Sequence, residues 1–233
     1  MDAGTGDSTS FARALQALKR AGCAILVVDN GSDDARVCRE LLGGSEPSRR
    51  RLVVATTRTA ADRHRSVDRS ATVLEASVDD TRSAGESVPD PANTPASGGP
   101  MTDDKPAVPG DDVNALADRV SAEIDRIEDG APGNLDPAEL RICVDALDPL
   151  LVRNDPEAVR RFAATTADRI RTNRGMGHFH LRTDDLEGTP FAPSLDPFDI
   201  RLDVRQQPGG TRDQRWLLRE AGIDTGWIRM GQR

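Results

Sequence analysis

Lysine is almost missing from this chain. Its 31 basic residues comprise 29 arginines and only Lys19 and Lys105, so a mechanism needing a lysine has two places to find one. Cysteine is nearly as scarce. Cys23, Cys38 and Cys143 are odd in number and none sits in a C-x-x-C pair, which argues against a disulfide framework or a zinc site. No apolar run approaches the ~20 residues that span a bilayer. Residues 1–10 are small and acidic, unlike a basic, hydrophobic signal peptide. The expectation is a soluble, cytoplasmic protein with no membrane partner. Excess positive charge is also lacking: the net charge is −8, which argues against a nucleic-acid backbone as partner. What the chain has in quantity is aspartate, 29 residues against 10 glutamates. Aspartate excess with almost no lysine is the surface expected of a halophilic protein, working in concentrated salt and encoded by a GC-rich genome. Codon bias alone is the competing explanation.

Hydrophobic patterning gives an α/β order. Phe11, Leu15 and Leu18 recur at helical spacing, predicting an amphipathic helix over 9–21. Cys23 to Val28 reads as a buried parallel strand and Arg51 to Thr57, around Leu52-Val-Val-Ala-Thr56, as a second. Residues 58–69 are polar and Arg-rich, a loop or short helix, and Ala71 to Ser77 is a third strand. From Ser83 to Gly110, 28 residues hold six prolines and four glycines, with only Val88, Met101 and Val108 as larger aliphatic side chains. Such a stretch cannot bury enough apolar surface to offset its ordering entropy, so it is expected to be a disordered insertion within one domain spanning 1–233. Beyond it, Asp111 or Asp112 caps a helix carrying Val113, Leu116, Val120, Ile124 and Ile127, which ends near Gly130. Leu140 to Asp145 is a strand ending in a carboxylate. Asp155-Pro156-Glu157 starts a helix whose buried face is Val159, Phe162, Thr166 and Ile170 and which Gly175 stops. Met176 to Leu181 follows as a strand, then shorter strands at 198–204, 215–218 and 227–230 form an antiparallel tail.

The first strand leads into Asp29-Asn-Gly31-Ser32-Asp33-Asp34-Ala-Arg36, the outline of a phosphate-binding loop. A working loop of that kind needs glycines, a lysine for the β- and γ-phosphates and a hydroxyl for magnesium. This one has a single glycine, no lysine and three carboxylates that would repel a triphosphate.

Four stretches in order resemble the RecA/KaiC-like ATPase superfamily, most closely a haloarchaeal branch of unknown function. They are Ala24 to Arg36 at the Walker A position; Arg141-Ile-Cys-Val-Asp145-Ala-Leu-Asp-Pro-Leu-Leu151 as a KaiC-type Walker B strand; the helix and strand over 155–181; and the hairpin formed by 198–204 and 214–218. The resemblance implies a three-layer α/β domain with a central, mostly parallel sheet and antiparallel C-terminal strands. It also implies that Asp145, with Gly31 and Ser32, is what is left of a nucleotide site, Asp145 standing where a relative holds magnesium. The missing lysine, and Thr56-Thr57-Arg58 in place of a water-polarising carboxylate after the second strand, depart from working members. No cofactor is therefore expected, and the expected role is a non-catalytic regulatory or protein-interaction module whose partner is an unidentified protein or a second copy of the chain in a homo-oligomer. One alternative is a nucleotide-binding ATPase with an altered loop, Arg36 or Arg58 replacing the lysine. Another is a receiver-like signalling domain, suggested by Ile25 to Asp29 and Asp33-Asp34.

Other residues merit separate notice. His178 and His180, two apart on a strand, face one side and could begin a metal site, with His64, Asp184 or Asp185 as third ligand; two half-buried histidines with hydrogen-bonded tips are the bland alternative. Cys143 could pair with a histidine as a nucleophile or simply be buried. Trp216 and Trp227, with Arg215 and Arg229, could form a binding surface or pack the last strands against a helix.

Overall fold

In the computed structural model the described residues are 5–30, 35–44, 46, 48–77, 108–109, 111–192 and 195–230. They form a mixed α/β structure. The strands are β1 (Cys23–Asp29), β2 (Arg50–Ala55), β3 (Thr72–Ser77), β4 (Val108–Pro109), β5 (Leu140–Asp145), β6 (Met176–Arg182), β7 (Ile200–Gln206), β8 (Arg212–Leu218), β9 (Ile223–Asp224) and β10 (Ile228–Arg229). The helices are α1 (Thr5–Ala21), α2 (Ala35–Leu41), α3 (Arg58–Val67), α4 (Val113–Asp129), α5 (Asp148–Arg153) and α6 (Pro156–Thr172).

The strands make one sheet in the order β10-β8-β7-β1-β6-β5-β2-β3-β4, with β9 on β8. From β7 through β4 the neighbours are parallel; β8, β9 and β10 are antiparallel. Strands from before and after residues 78–107 thus interleave, with β6 between β1 and β5. The stretch expected to be disordered, 83–110, lies outside the described residues except for 108–109 and its neighbour-pairing to β3. The order also bears on the receiver alternative. Receivers run 2-1-3-4-5, with the first strand beside the second and third, whereas here β1 lies between β6 and β7.

Period-two alternation divides the core. Ala24, Leu26 and Val28 of β1 face α4, α5 and α6. Cys23, Ile25 and Val27 face α1 and α2, and the same side of β2 and β5 is covered by α2 and α3. Helices on both faces explain why β1 is a continuous apolar run from Cys23 to Val28. Capping matches the sequence: Asp112 Oδ1 accepts from the amides of Asn114 and Ala115 at 3.1 and 2.9 Å, and Asp155 from Ala158 at 3.2 Å.

Several expectations are corrected. The first helix begins earlier, at Thr5, while of the two readings of 58–69 the helix is the one found, over Arg58–Val67. A short helix, α5, follows β5 directly. The helix after Asp155 ends at Thr172, with Asn173 as its cap and Arg174, not Gly175, in the left-handed region at φ 48°. The strand at 200–206 pairs parallel to β1, so the antiparallel tail starts one strand later.

Candidate functional site

Because β1, β5 and β6 are parallel, their carboxyl ends meet at one edge. In register, Asp29 stands beside Arg182 and Cys143 beside His178. Alternation then sends Cys143 and Asp145 of β5, and His178, His180 and Arg182 of β6, to the face under α2 and α3.

At that edge Asp145 is buried and fully engaged. Arg182 Nη2 donates to Oδ1 at 2.7 Å, while Oδ2 accepts from His64 Nε2 at 2.9 Å and from Arg63. A carboxylate only accepts, so His64 carries its proton on Nε2. Burial alone would raise the Asp145 pKa, but the His64 hydrogen bond and the charges of His180, Arg63 and Arg182 outweigh it and hold the carboxyl well below the usual range. The space left beside Asp29, Asp145, Arg63, His180 and Arg182 is about 10 Å³, room for a single water at most. The backbone here is tied down by Thr56, whose hydroxyl accepts from the Ala146 amide at 2.7 Å and donates to the Ala146 carbonyl at 2.9 Å. Thr57 caps α3 by accepting from the Ala60 amide at 3.2 Å.

One turn below lies a second group. Cys38 on α2 brings its sulfur 3.1 Å from that of Cys143 and 3.3 Å from His178 Nε2. The rings of His178 and His180 meet edge to face, 5.2 Å apart. Ligand atoms of Cys38, Cys143, His178 and His180 all lie within 4.8 Å of one another, and all four residues are buried. Two sulfurs and two imidazoles converging this way can share protons or hold a soft-to-borderline metal. The Cys143 hydrogen bond, the largest influence, holds the Cys38 thiol well below its ordinary value despite burial, and the two histidines add to this. Burial pushes the Cys143 thiol up, so it is no activated nucleophile. Burial likewise lowers His178. His180 is raised, since Cys38, Asp145 and Asp29 outweigh its desolvation. Its Nε2 is buried without a hydrogen-bond partner among the described residues.

The sequence therefore named three of these four residues but assembled them differently. His178 and His180 do share a face, but they are fully buried, not merely half-buried, and lie beside two cysteines. His64 is committed to Asp145 instead of serving as their third ligand. Asp185 belongs to an exposed turn, accepting from Gly188 N–H at 3.2 Å, and Asp184 is exposed too. Cys38 was missed as a partner, and three unpaired cysteines do not exclude a clustered site. The loop residues Gly31, Ser32, Asp33 and Asp34 lie outside the described residues. Arg36 pairs with Glu40 at 3.0 Å, and Arg58 faces Glu75 at 3.9 Å. The tryptophans separate: Trp216 packs on Phe11 of α1, at 5.9 Å between ring centroids, while Trp227 is 39% exposed beneath the Arg205 guanidinium. Arg215 is paired with Asp224. Among the described residues, no helix is long and apolar enough to cross a membrane.

Fold and site together define an α/β protein with a mostly parallel, helix-covered sheet and a buried Cys/His cluster beside a saturated strand-end carboxylate. The chain belongs to a family of unknown function, DUF7504, whose model matches residues 22–204. No curated protein matches it significantly.

Proposed function

We propose that this protein is a non-catalytic RecA/KaiC-like module that acts by binding a partner rather than by turning over nucleotide. The observation that carries this reading is the state of Asp145. In the position that the resemblance gives to the magnesium carboxylate, both oxygens are taken by Arg63, His64 and Arg182. A hydrated magnesium ion would have to displace two guanidinium groups. Thr56 and Thr57, in place of the water-polarising carboxylate, are spent on the backbone. Neither arginine offered as a lysine substitute supports the altered-loop alternative, since Arg36 pairs along its own helix and Arg58 faces β3.

The test is calorimetric titration of MgATP into the full chain in molar KCl, beside Asp145→Asn. No detectable binding is expected for either. Micromolar binding to the parent that Asp145→Asn abolishes would overturn the reading and favour an altered-loop ATPase.

A further inference from the structure

We propose that Cys38, Cys143, His178 and His180 form a closed, four-ligand site for a zinc ion, which fastens α2 to the sheet. The proposal is independent of the non-catalytic reading, and a MgATP result of either sign leaves it standing.

Geometry is the first argument. Zinc in structural sites is tetrahedral, with Zn–S ~2.3 Å and Zn–N ~2.0–2.1 Å, which sets ligand-to-ligand edges of ~3.3–3.8 Å. The Cys38 sulfur already stands 3.1 Å from Cys143 and 3.3 Å from His178 Nε2, and no pair of ligand atoms exceeds 4.8 Å. The sulfur separation is far outside the ~2.05 Å of a disulfide. Shifts on the order of an ångström complete the tetrahedron.

The second argument is the chemistry of the ligand set. Two thiols and two imidazoles are the S2N2 combination that selects zinc over the hard cations magnesium and calcium. Binding would release up to two thiol protons, leaving a complex of two thiolates, two neutral imidazoles and one dication with no net charge. Only a neutral complex is cheap to bury at this depth.

The third argument concerns placement. Cys143, His178 and His180 belong to adjacent sheet strands and are held rigidly, whereas α2 is seven residues long and buries only Val37 and Cys38. A bond through Cys38 would add an anchor between α2 and the sheet. All four ligands come from protein and all are buried, which marks a structural site rather than one with an open position for substrate. A cleft of about 400 Å³ between α2 and α3, lined by Cys38, His64, Arg63 and Asp68 among others, gives the ion a path in.

The experiment uses the full chain, reduced, stripped with a chelator, reloaded with zinc in molar KCl and desalted. One tightly held zinc per chain is expected. X-ray absorption at the zinc edge should show two sulfur and two nitrogen neighbours, at ~2.3 and ~2.0–2.1 Å. Cobalt in its place should give the visible bands of a tetrahedral thiolate complex. Cys38→Ala and His180→Ala should each weaken zinc by roughly a hundredfold or more, beyond the ~10–100-fold of a change outside the ligand shell. Cys23→Ala, at a buried cysteine outside the cluster, should bind as the parent does. Zinc lost on desalting, a shell of oxygen and nitrogen only, or equal affinity in Cys38→Ala would overturn the proposal. So would a Cys38–Cys143 disulfide that resists reductant and bars zinc. Should a variant fail to fold, the absorption spectrum of the parent decides alone.

Discussion

At Asp145 the number of donors settles the chemistry. A carboxylate offers two oxygens, and three side chains reach them from two elements: Arg63 and His64 on α3, Arg182 at the end of β6. Removing it leaves two guanidinium groups facing each other across a buried site. Breaking a buried pair in this way costs ~3–5 kcal/mol. Arg63 and Arg182 are 21% and 30% exposed and can turn to water, so Asp145→Ala should cost less, ~2–3 kcal/mol by urea unfolding. A cost below ~0.5 kcal/mol, the range of an ordinary surface change, would contradict the hub. The sequence marked Asp145 as a strand-end carboxylate, but its partners were out of reach of pattern. Arg63 and His64 sat in a segment without an apolar stripe, and their distance in sequence from Asp145 is bridged only by the packing of α3 over β2 and β5. Cys38 is the same case: it meets Cys143 across 105 positions, and no local spacing announces that.

Elements with a strong period were legible. β1 is an unbroken apolar run from Cys23 to Val28 and β5 a short one from Ile142 to Val144, and α4 and α6 carry both an acidic cap and a long apolar stripe. α3 was obscured because its buried side is only Ala60, Ala61 and His64, residues too small or too polar to draw a stripe. α5 escaped because six residues make less than two turns and Val152, in the middle of its C-terminal half, points outward at 83% exposure. Direction was the other gap: nothing in Ile200 to Gln206 tells that it runs parallel to β1, since an alternating strand reads the same either way. The fit between elements gives its own prediction. Gly177 in β6 lies against α6, and a Cβ there would overlap the end of the fully buried Ile170. Gly177→Ala should destabilise by ~1–3 kcal/mol through overpacking. Adding Ile170→Val should recover part of that loss, as a positive coupling in a double-mutant cycle. Additive costs would place the strain elsewhere.

Across the whole molecule, charge is the property that the composition makes most prominent. Many arginines are paired at the surface, as in Arg36–Glu40 and Arg160–Glu157, but exposed pairs are worth ~0–1 kcal/mol each. Molar salt screens those weak attractions together with the repulsion among 39 carboxylates that leaves a net charge of −8. Repulsion of the unpaired excess should win, so the melting temperature should rise steeply from dilute buffer to molar KCl. An unchanged value would leave codon bias as the explanation of the aspartates. The central claim is narrower: at the ends of β5 and β6 the Asp145 carboxylate is held by the protein's own side chains, and the Cys/His cluster beside it suits a soft cation. It is tested most directly by melting the reduced, chelator-stripped chain in molar KCl with zinc or with MgATP. A ligand at a hundred times its dissociation constant adds ~2.7 kcal/mol, which for a chain of this size is a shift of ~5–10 °C. The account predicts that shift with zinc and none with MgATP; stabilisation by MgATP with no response to zinc would contradict it.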